Sequence, residues 1–202
     1  MADGTSGIMP RMSSAAIPDE ALIARYAAGD VSAFEVLYER HEQPLWRFLL
    51  RLVRDRAAAE ELMQEAWFAV AREAPRFRAD GRFAPWLYAI ARHRVIDRHR
   101  SARPLQSLDV AEGEGESLLG RIADERSPSP LHRSEQMDQG RAIVAALGRL
   151  PQEQREAFLM QVEGGLSVEE IATATGTSFE TAKSRLRYAR DKLKALLRDH
   201  AP

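Results

Sequence analysis

Lys183, Arg185, Arg187, Arg190, Lys192, Lys194 and Arg198 place seven cations on one short stretch, against only Glu180 and Asp191, for a local net of +5 in a chain of formal net charge −1. Ala182, Leu186, Ala189 and Leu193 recur between them at helical spacing. One helix therefore carries an apolar stripe with the cations standing off it. Such a helix meets a polyanion, and its arginine forks match guanine edges as well as phosphates. Upstream, Ser167 followed by Glu170 spells a capping box, Gly176 sits where a left-handed residue closes a helix, and Thr177 followed by Glu180 spells a second box. The pattern is a helix-turn-helix whose second helix suits a DNA major groove. An amphipathic hairpin with a solvated basic face has the same residue pattern, so this segment alone leaves both readings open.

A second cluster lies in the N-terminal half. From Arg72 to Arg103 there are nine arginines against Glu73, Asp80 and Asp97, a net of +6. Phe77, Phe83 and Trp86 interleave with Arg76, Arg78, Arg82, Arg92 and Arg94 in and beside a loop. Aromatic faces stack on unpaired bases while guanidinium groups hold phosphates, which is the chemistry of single-strand capture. Taken singly, each aromatic reads first as a core anchor, and it is the clustering on a loop that shifts the balance towards base capture.

The elements that hold these clusters all have helical period. Asp19 to Ala28 carries Leu22, Ile23 and Tyr26 and closes at Gly29. Asp30 caps a longer helix with Phe34, Leu37, Tyr38, Leu45, Phe48, Leu49 and Leu52, which Pro44 is expected to kink or split. Asp55 caps a third, with Leu62, Ala66, Ala69 and Val70, and Asp80-Gly81 makes a turn before a fourth that has Pro85 at its first position and runs towards Arg100. No segment alternates as a strand would. Between the two basic blocks, Asp109 to Asp138 holds eight acids against three arginines, a net of −5, with Gly113, Gly115, Gly120, Pro128 and Pro130. That composition predicts a mobile acidic linker that does not itself adhere to a polyanion.

The expectation is an all-α chain of two small helical domains. Residues 1–18 form a disordered tail, 19–103 the first domain, 104–138 the linker and 139–198 the second domain. At 202 residues with 45% hydrophobic content the chain is long enough for two such cores. With no cysteine it has no disulfide, thiolate metal site or cysteine nucleophile. No apolar run approaches the roughly 20 residues of a membrane span, and no secretion signal is visible, so a cytoplasmic protein is expected. The five histidines lack metal-ligand spacing and no glycine-rich phosphate loop is present. Neither a cofactor nor an enzymatic activity is expected.

Taken in order, these segments resemble the extracytoplasmic-function sigma factors of bacterial RNA polymerase. Glu60-Glu61-Leu-Met-Gln64-Glu65-Ala-Trp67 is similar to the polymerase-binding segment of sigma region 2. Phe83-Ala-Pro-Trp-Leu-Tyr-Ala-Ile-Ala-Arg-His-Arg-Val-Ile-Asp97 is similar to the promoter-melting helix that reads the −10 element. Leu150-Pro-Gln-Glu-Gln-Arg-Glu-Ala-Phe158 and the helix-turn-helix are similar to region 4, which reads the −35 element. The resemblance covers about Asp19 to Leu197, without a region 3 domain. Each motif is weakly diagnostic and the ordered set is specific.

The resemblance implies polymerase binding by Glu60, Glu61, Gln64 and Glu65. It implies −10 contacts by Phe77, Arg78, Asp80, Arg82, Phe83, Trp86, Arg92, His93 and Arg94. Contacts to the −35 element would come from Thr181, Lys183, Ser184, Arg185, Arg187 and Tyr188. Where the family pattern has Asn this chain has His93, and where it has Arg this chain has Tyr188, so altered base contacts are implied there, with Arg187 placed to compensate. The implied partners are core RNA polymerase, promoter DNA (duplex at −35, single-stranded at −10) and an anti-sigma factor. A regulator that binds an operator without polymerase, or a helical adaptor with basic faces for acidic proteins, would share some of these features. The first needs a ligand pocket or phosphoacceptor, and no receiver-type aspartate pattern is visible. The second gives the Phe77–Trp86 loop no purpose.

Overall fold

The computed structural model describes residues 17–78, 80–102 and 140–198, and every regular element among them is helical. An N-terminal group comprises α1 (Asp19–Ala27), α2 (Val31–Val53), α3 (Arg56–Glu73), a 3-10 turn at Ala74–Arg76 and α4 (Phe83–Ala102). A C-terminal group comprises α5 (residues 140–148), α6 (Gln152–Gly164), α7 (Val168–Thr175) and α8 (Phe179–Arg198). The expected tail, up to residue 16, and the acidic linker lie outside the described residues.

Local chemistry sets most of the boundaries. Asp30 accepts from the Ser32 amide at 3.1 Å and Asp55 from the Ala58 amide at 2.8 Å, so both caps are where the sequence puts them. The Ser167–Glu170 capping box is complete in both directions, at 3.2 and 2.8 Å. Gly176 ends α7 at φ 66°, a conformation that costs other residues a Cβ clash. Ser167→Ala is expected to cost about 1 kcal/mol, seen as a lower urea midpoint at unchanged slope.

Three expectations are corrected. Pro44 does not split its helix, which runs continuously from Val31 to Val53. It deprives the Arg40 carbonyl of its usual amide donor, yet Ala33 and Leu37 before it and Leu45, Phe48, Leu49 and Leu52 after it are all buried in the same core, which holds both halves in register. Thr177 does not cap α8. Its amide is bonded to the Ala172 carbonyl at 2.9 Å, which closes α7 in a Schellman arrangement, so Ser178 takes the cap and accepts from the Thr181 amide at 3.2 Å. Pro85 occupies the third rather than the first position of α4, a turn whose amides have no intrahelical acceptor in any case.

The core of the N-terminal group is built from Leu37, Phe48, Leu49, Leu62, Val70, Leu87 and Val95, all fully or almost fully buried. Leu159, Met160, Ile171, Leu186 and Leu193 fill the C-terminal one. The sequence left the relative placement of the two groups open. In the structure α2 lies along α6, α4 packs on α6 and α7, and the buried apolar residues form one continuous cluster.

Candidate nucleic-acid and polymerase interfaces

On α8 the stripe Ala182, Leu186, Ala189 and Leu193 is buried, and this orients everything else on the helix. Thr181, Lys183, Arg187 and Tyr188 are exposed, while Ser184 and Arg185 are half-buried beside them. The Arg187 guanidinium stacks 4.8 Å from the centre of the Tyr188 ring, and the Lys183 ammonium lies 5.7 Å from that of Phe179. Tyr188 therefore holds the arginine beside it in a preset orientation. Arg190 turns back to Gln161 on α6. The outward surface of α8 is a row of cations around an exposed aromatic ring, that of Tyr188.

The 77–86 segment is a three-ring cluster. Phe77 and Trp86 are edge to face at 5.0 Å, and Phe83 lies 6.4 Å from Phe77 and 6.0 Å from Trp86. Phe83 differs from expectation. It is fully buried, with its ring 5.2 Å from that of His41, and its amide donates to Glu20 at 3.1 Å. It is the floor under the half-buried Phe77 and Trp86, not a wall open to a base. Arg78 reaches Asp80 through two bonds of 3.1 and 3.0 Å, both residues being well exposed. The hydrogen bond from Arg78, and then its charge, hold the Asp80 carboxyl below the usual carboxylate range. Arg82 lies near Glu20 and Glu170, at 3.4 and 3.6 Å.

Farther along α4 the predicted set divides. His93 is exposed. Arg94 is half-buried, and its Nε has no hydrogen-bond partner. Arg92 points into the C-terminal group, where its Nε meets Glu156 at 3.0 Å, and it is only 17% exposed. In this arrangement Arg92 is not free to meet DNA, because a carboxylate already occupies it.

Leu62, Met63 and Ala66 bury one face of α3 and leave Glu60, Glu61, Gln64 and Glu65 together on the other. Glu60 pairs with Arg56 at 3.0 Å and Glu61 with Arg98 on α4. Glu60 and Gln64 edge a shallow hollow of about 220 Å³ that also involves Tyr38, Glu42, Trp46 and Met63. Phe68, one turn beyond Gln64, is 75% exposed on the same side. An acidic rim, a hollow and an exposed aromatic make a surface for a protein partner with basic groups.

Among the described residues no cluster of histidine, cysteine or carboxylate side chains could hold a metal ion, and no helix is long and apolar enough to cross a membrane.

Residues 37–104 match the family Sigma-70 region 2, and residues 140–193 match Sigma-70, region 4. "ECF RNA polymerase sigma factor SigM" of Mycobacterium tuberculosis is 31% identical over 179 residues, covering 89% of this chain and 84% of that protein. This chain belongs to the extracytoplasmic-function sigma factors of the sigma-70 family. It is similarly related to "RNA polymerase sigma factor CarQ" of Myxococcus xanthus, at 32% over 173 residues, 86% of this chain and 94% of that one. Among solved structures, the sigma factor RpoE in complex with the anti-sigma factor NepR from Bartonella quintana superposes with a TM-score of 0.65 at 24% identity, over 82% of this chain and 96% of that one. CnrH in complex with the cytosolic domain of CnrY gives a TM-score of 0.63 at 23% identity, over 91% and 99%. These two likenesses bear out the fold. As a sigma factor, the chain is a transcription initiation factor that binds core RNA polymerase and promoter DNA.

Sequence reasoning missed the groups that join the two halves of this sigma factor. The side chains of Glu156 and Glu163 on α6 are 2% and 4% exposed, and they face Arg92 on α4 and Arg47 and Arg51 on α2. Their signal was available: acids seven residues apart share a helix face, and this face also carries Leu159 and Met160. Carboxylates on a buried face require a cationic partner.

Proposed function

We propose that this sigma factor docks on core polymerase through the acidic face of α3, reads the −35 element with α8, and holds the melted −10 strand on the 77–86 segment and α4. The observation that carries this reading is the geometry of α8. A buried stripe on one side fixes Lys183, Arg187 and Tyr188 outward, with Thr181, Ser184 and Arg185 flanking them, as a major-groove helix requires. The proposed units are a tail over residues 1–18, region 2 over 19–103, a linker over 104–138 and region 4 over 139–198. At −10, Phe77 and Trp86 supply the stacking surface, Arg78, Asp80 and Arg82 its polar edge, His93 and Arg94 the continuation along α4, and Phe83 the support beneath. The factor works in the cytoplasm and makes or breaks no bond itself, its role being to position polymerase and stabilise the open strand. Control by an anti-sigma factor is part of the proposal, supported by the structurally similar sigma factor RpoE, which is held by the anti-sigma factor NepR.

Binding to core polymerase tests the reading. Glu61→Lys combined with Glu65→Lys reverses two exposed charges, of which Glu61 makes only a solvent-exposed pair with Arg98, a contact worth under about 1 kcal/mol. The pair is expected to weaken holoenzyme assembly at least about tenfold, roughly 1.4 kcal/mol, with helical content unchanged. Wild-type affinity for the double variant would remove α3 from the polymerase interface. Absence of core binding by the wild-type chain would remove the proposal.

A further inference from the structure

We propose that Glu20 on α1 is a positioning residue for the −10 surface: its carboxylate caps α4 from 63 residues away and thereby fixes how Phe77 and Trp86 are presented. The proposal rests on the assignment of the 77–86 segment to −10 binding made above.

The need for an outside cap is written into the start of α4. The helix begins at Phe83, so Arg82 stands at the cap position. A guanidinium has donors and no acceptor, and Arg82 therefore cannot take up an orphan amide of the first turn. Pro85 has no amide to satisfy, and the Trp86 amide returns to the Arg82 carbonyl at 3.4 Å. The Phe83 amide is met by a carboxylate oxygen of Glu20 at 3.1 Å, and the same oxygen lies 3.4 Å from the Arg82 Nε. One carboxylate thus supplies the acceptor that the cap residue lacks, offsets that residue's charge, and faces the positive end of the helix dipole.

Glu20 is itself held in place. Its neighbour Asp19 serves α2, where Arg40 donates to Asp19 at 2.6 Å and to the Ile17 carbonyl at 2.7 Å, and the His41 Nε2 lies 2.7 Å from the other Asp19 oxygen. Leu22 and Ile23 bury the next turn of α1 in the core. The first turn of α1 is therefore tied to α2 through one acid and to α4 through the next. Both ties converge on Phe83, whose amide Glu20 holds and whose ring packs 5.2 Å from that of His41. Phe83 is the floor of the three-ring cluster, so fraying of this turn changes the tilt of Trp86 against Phe77, on which an edge-to-face pair depends. A stacking surface that must first be ordered gives up that ordering cost when it receives a base.

Two variants of the full chain test this, each read by hydrogen exchange and by promoter opening. Glu20→Ala removes the acceptor, and exchange in the 77–86 segment, followed by mass spectrometry, should quicken about fivefold, as the loss of one helix cap implies. Opening of a duplex promoter by reconstituted holoenzyme should slow by a similar factor, while affinity for core polymerase is unchanged. Glu20→Gln keeps a carbonyl oxygen for the amide at the same length and should restore the slow exchange and most of the opening, the remaining deficit reporting the charge lost beside Arg82. Trp86→Ala serves as the control for the −10 assignment itself. Unchanged exchange in Glu20→Ala, or exchange in Glu20→Gln as fast as in the alanine variant, overturns the cap. Faster exchange with normal opening, when Trp86→Ala opens poorly, overturns the positioning role and leaves the −10 assignment standing. Normal opening by Trp86→Ala removes that assignment, and the role of Glu20 with it, leaving polymerase binding through α3 untouched.

Discussion

Arg185→Ala combined with Arg187→Ala is expected to abolish most transcription from the cognate promoter while leaving polymerase binding intact. Each arginine can give a paired bond to a base edge worth about 1–3 kcal/mol, so the two together account for about 2–6 kcal/mol, roughly thirtyfold to ten-thousandfold. Their settings differ. Arg187 is exposed and stacked on Tyr188, whereas Arg185 is half-buried beside Leu186. Transcription by reconstituted holoenzyme measures the effect, and its salt dependence sorts the roles. An arginine that contacts phosphate weakens all sequences alike and flattens the salt slope by about one, whereas an arginine that reads a base relaxes selectivity at one position. Normal transcription by the double variant would place −35 recognition away from this face of α8.

Phe48→Ala should be the most damaging of the single core truncations at the junction of the two halves. The ring is fully buried and meets Tyr88 edge to face at 5.0 Å, so its loss removes a large apolar volume and one aromatic pair. A cost of about 3–5 kcal/mol is expected, against about 5–15 kcal/mol for the whole stability of a typical domain. Urea unfolding followed by circular dichroism measures it. Phe48→Leu keeps most of the volume and should cost less than about 1.5 kcal/mol. A loss below about 1 kcal/mol for the alanine variant would mean that the site collapses around the missing ring.

What could be read in advance followed from local rules. Asp30, Asp55, Ser167 and Gly176 do what their side chains dictate over three or four residues, and the stripe on α8 follows from periodicity alone. Thr177 was misread because two short-range motifs overlap, and the closing turn of α7 takes its amide before α8 can use its side chain. The helix does not split at Pro44, for the opposite reason: a local penalty is outweighed by a core gathered from distant residues. At the candidate site, the outward placement of Glu61, Glu65, Lys183 and Arg187 follows from the buried positions beside them. The burial of Phe83 and Arg92 does not, because Glu20, His41 and Glu156, which surround them, are far away in sequence. Periodicity gives the face of a helix and is silent on which partner covers it.

The brevity of α7 determines how the part proposed to read DNA can be moved between proteins. Eight residues are too few to persist alone in water, even with a complete cap at one end and Gly176 at the other. The helix exists because Ile171, Ala172 and Ala174 are buried against its neighbours, and α8 likewise turns its stripe towards α6. A chimaera that borrows only α7 and α8 would therefore carry the reading residues without the angle between them. The smallest graft that keeps promoter preference runs from residue 140 to 198, and its acceptor must supply a new cover for Glu156, Glu163 and the surface that Tyr88 now seals.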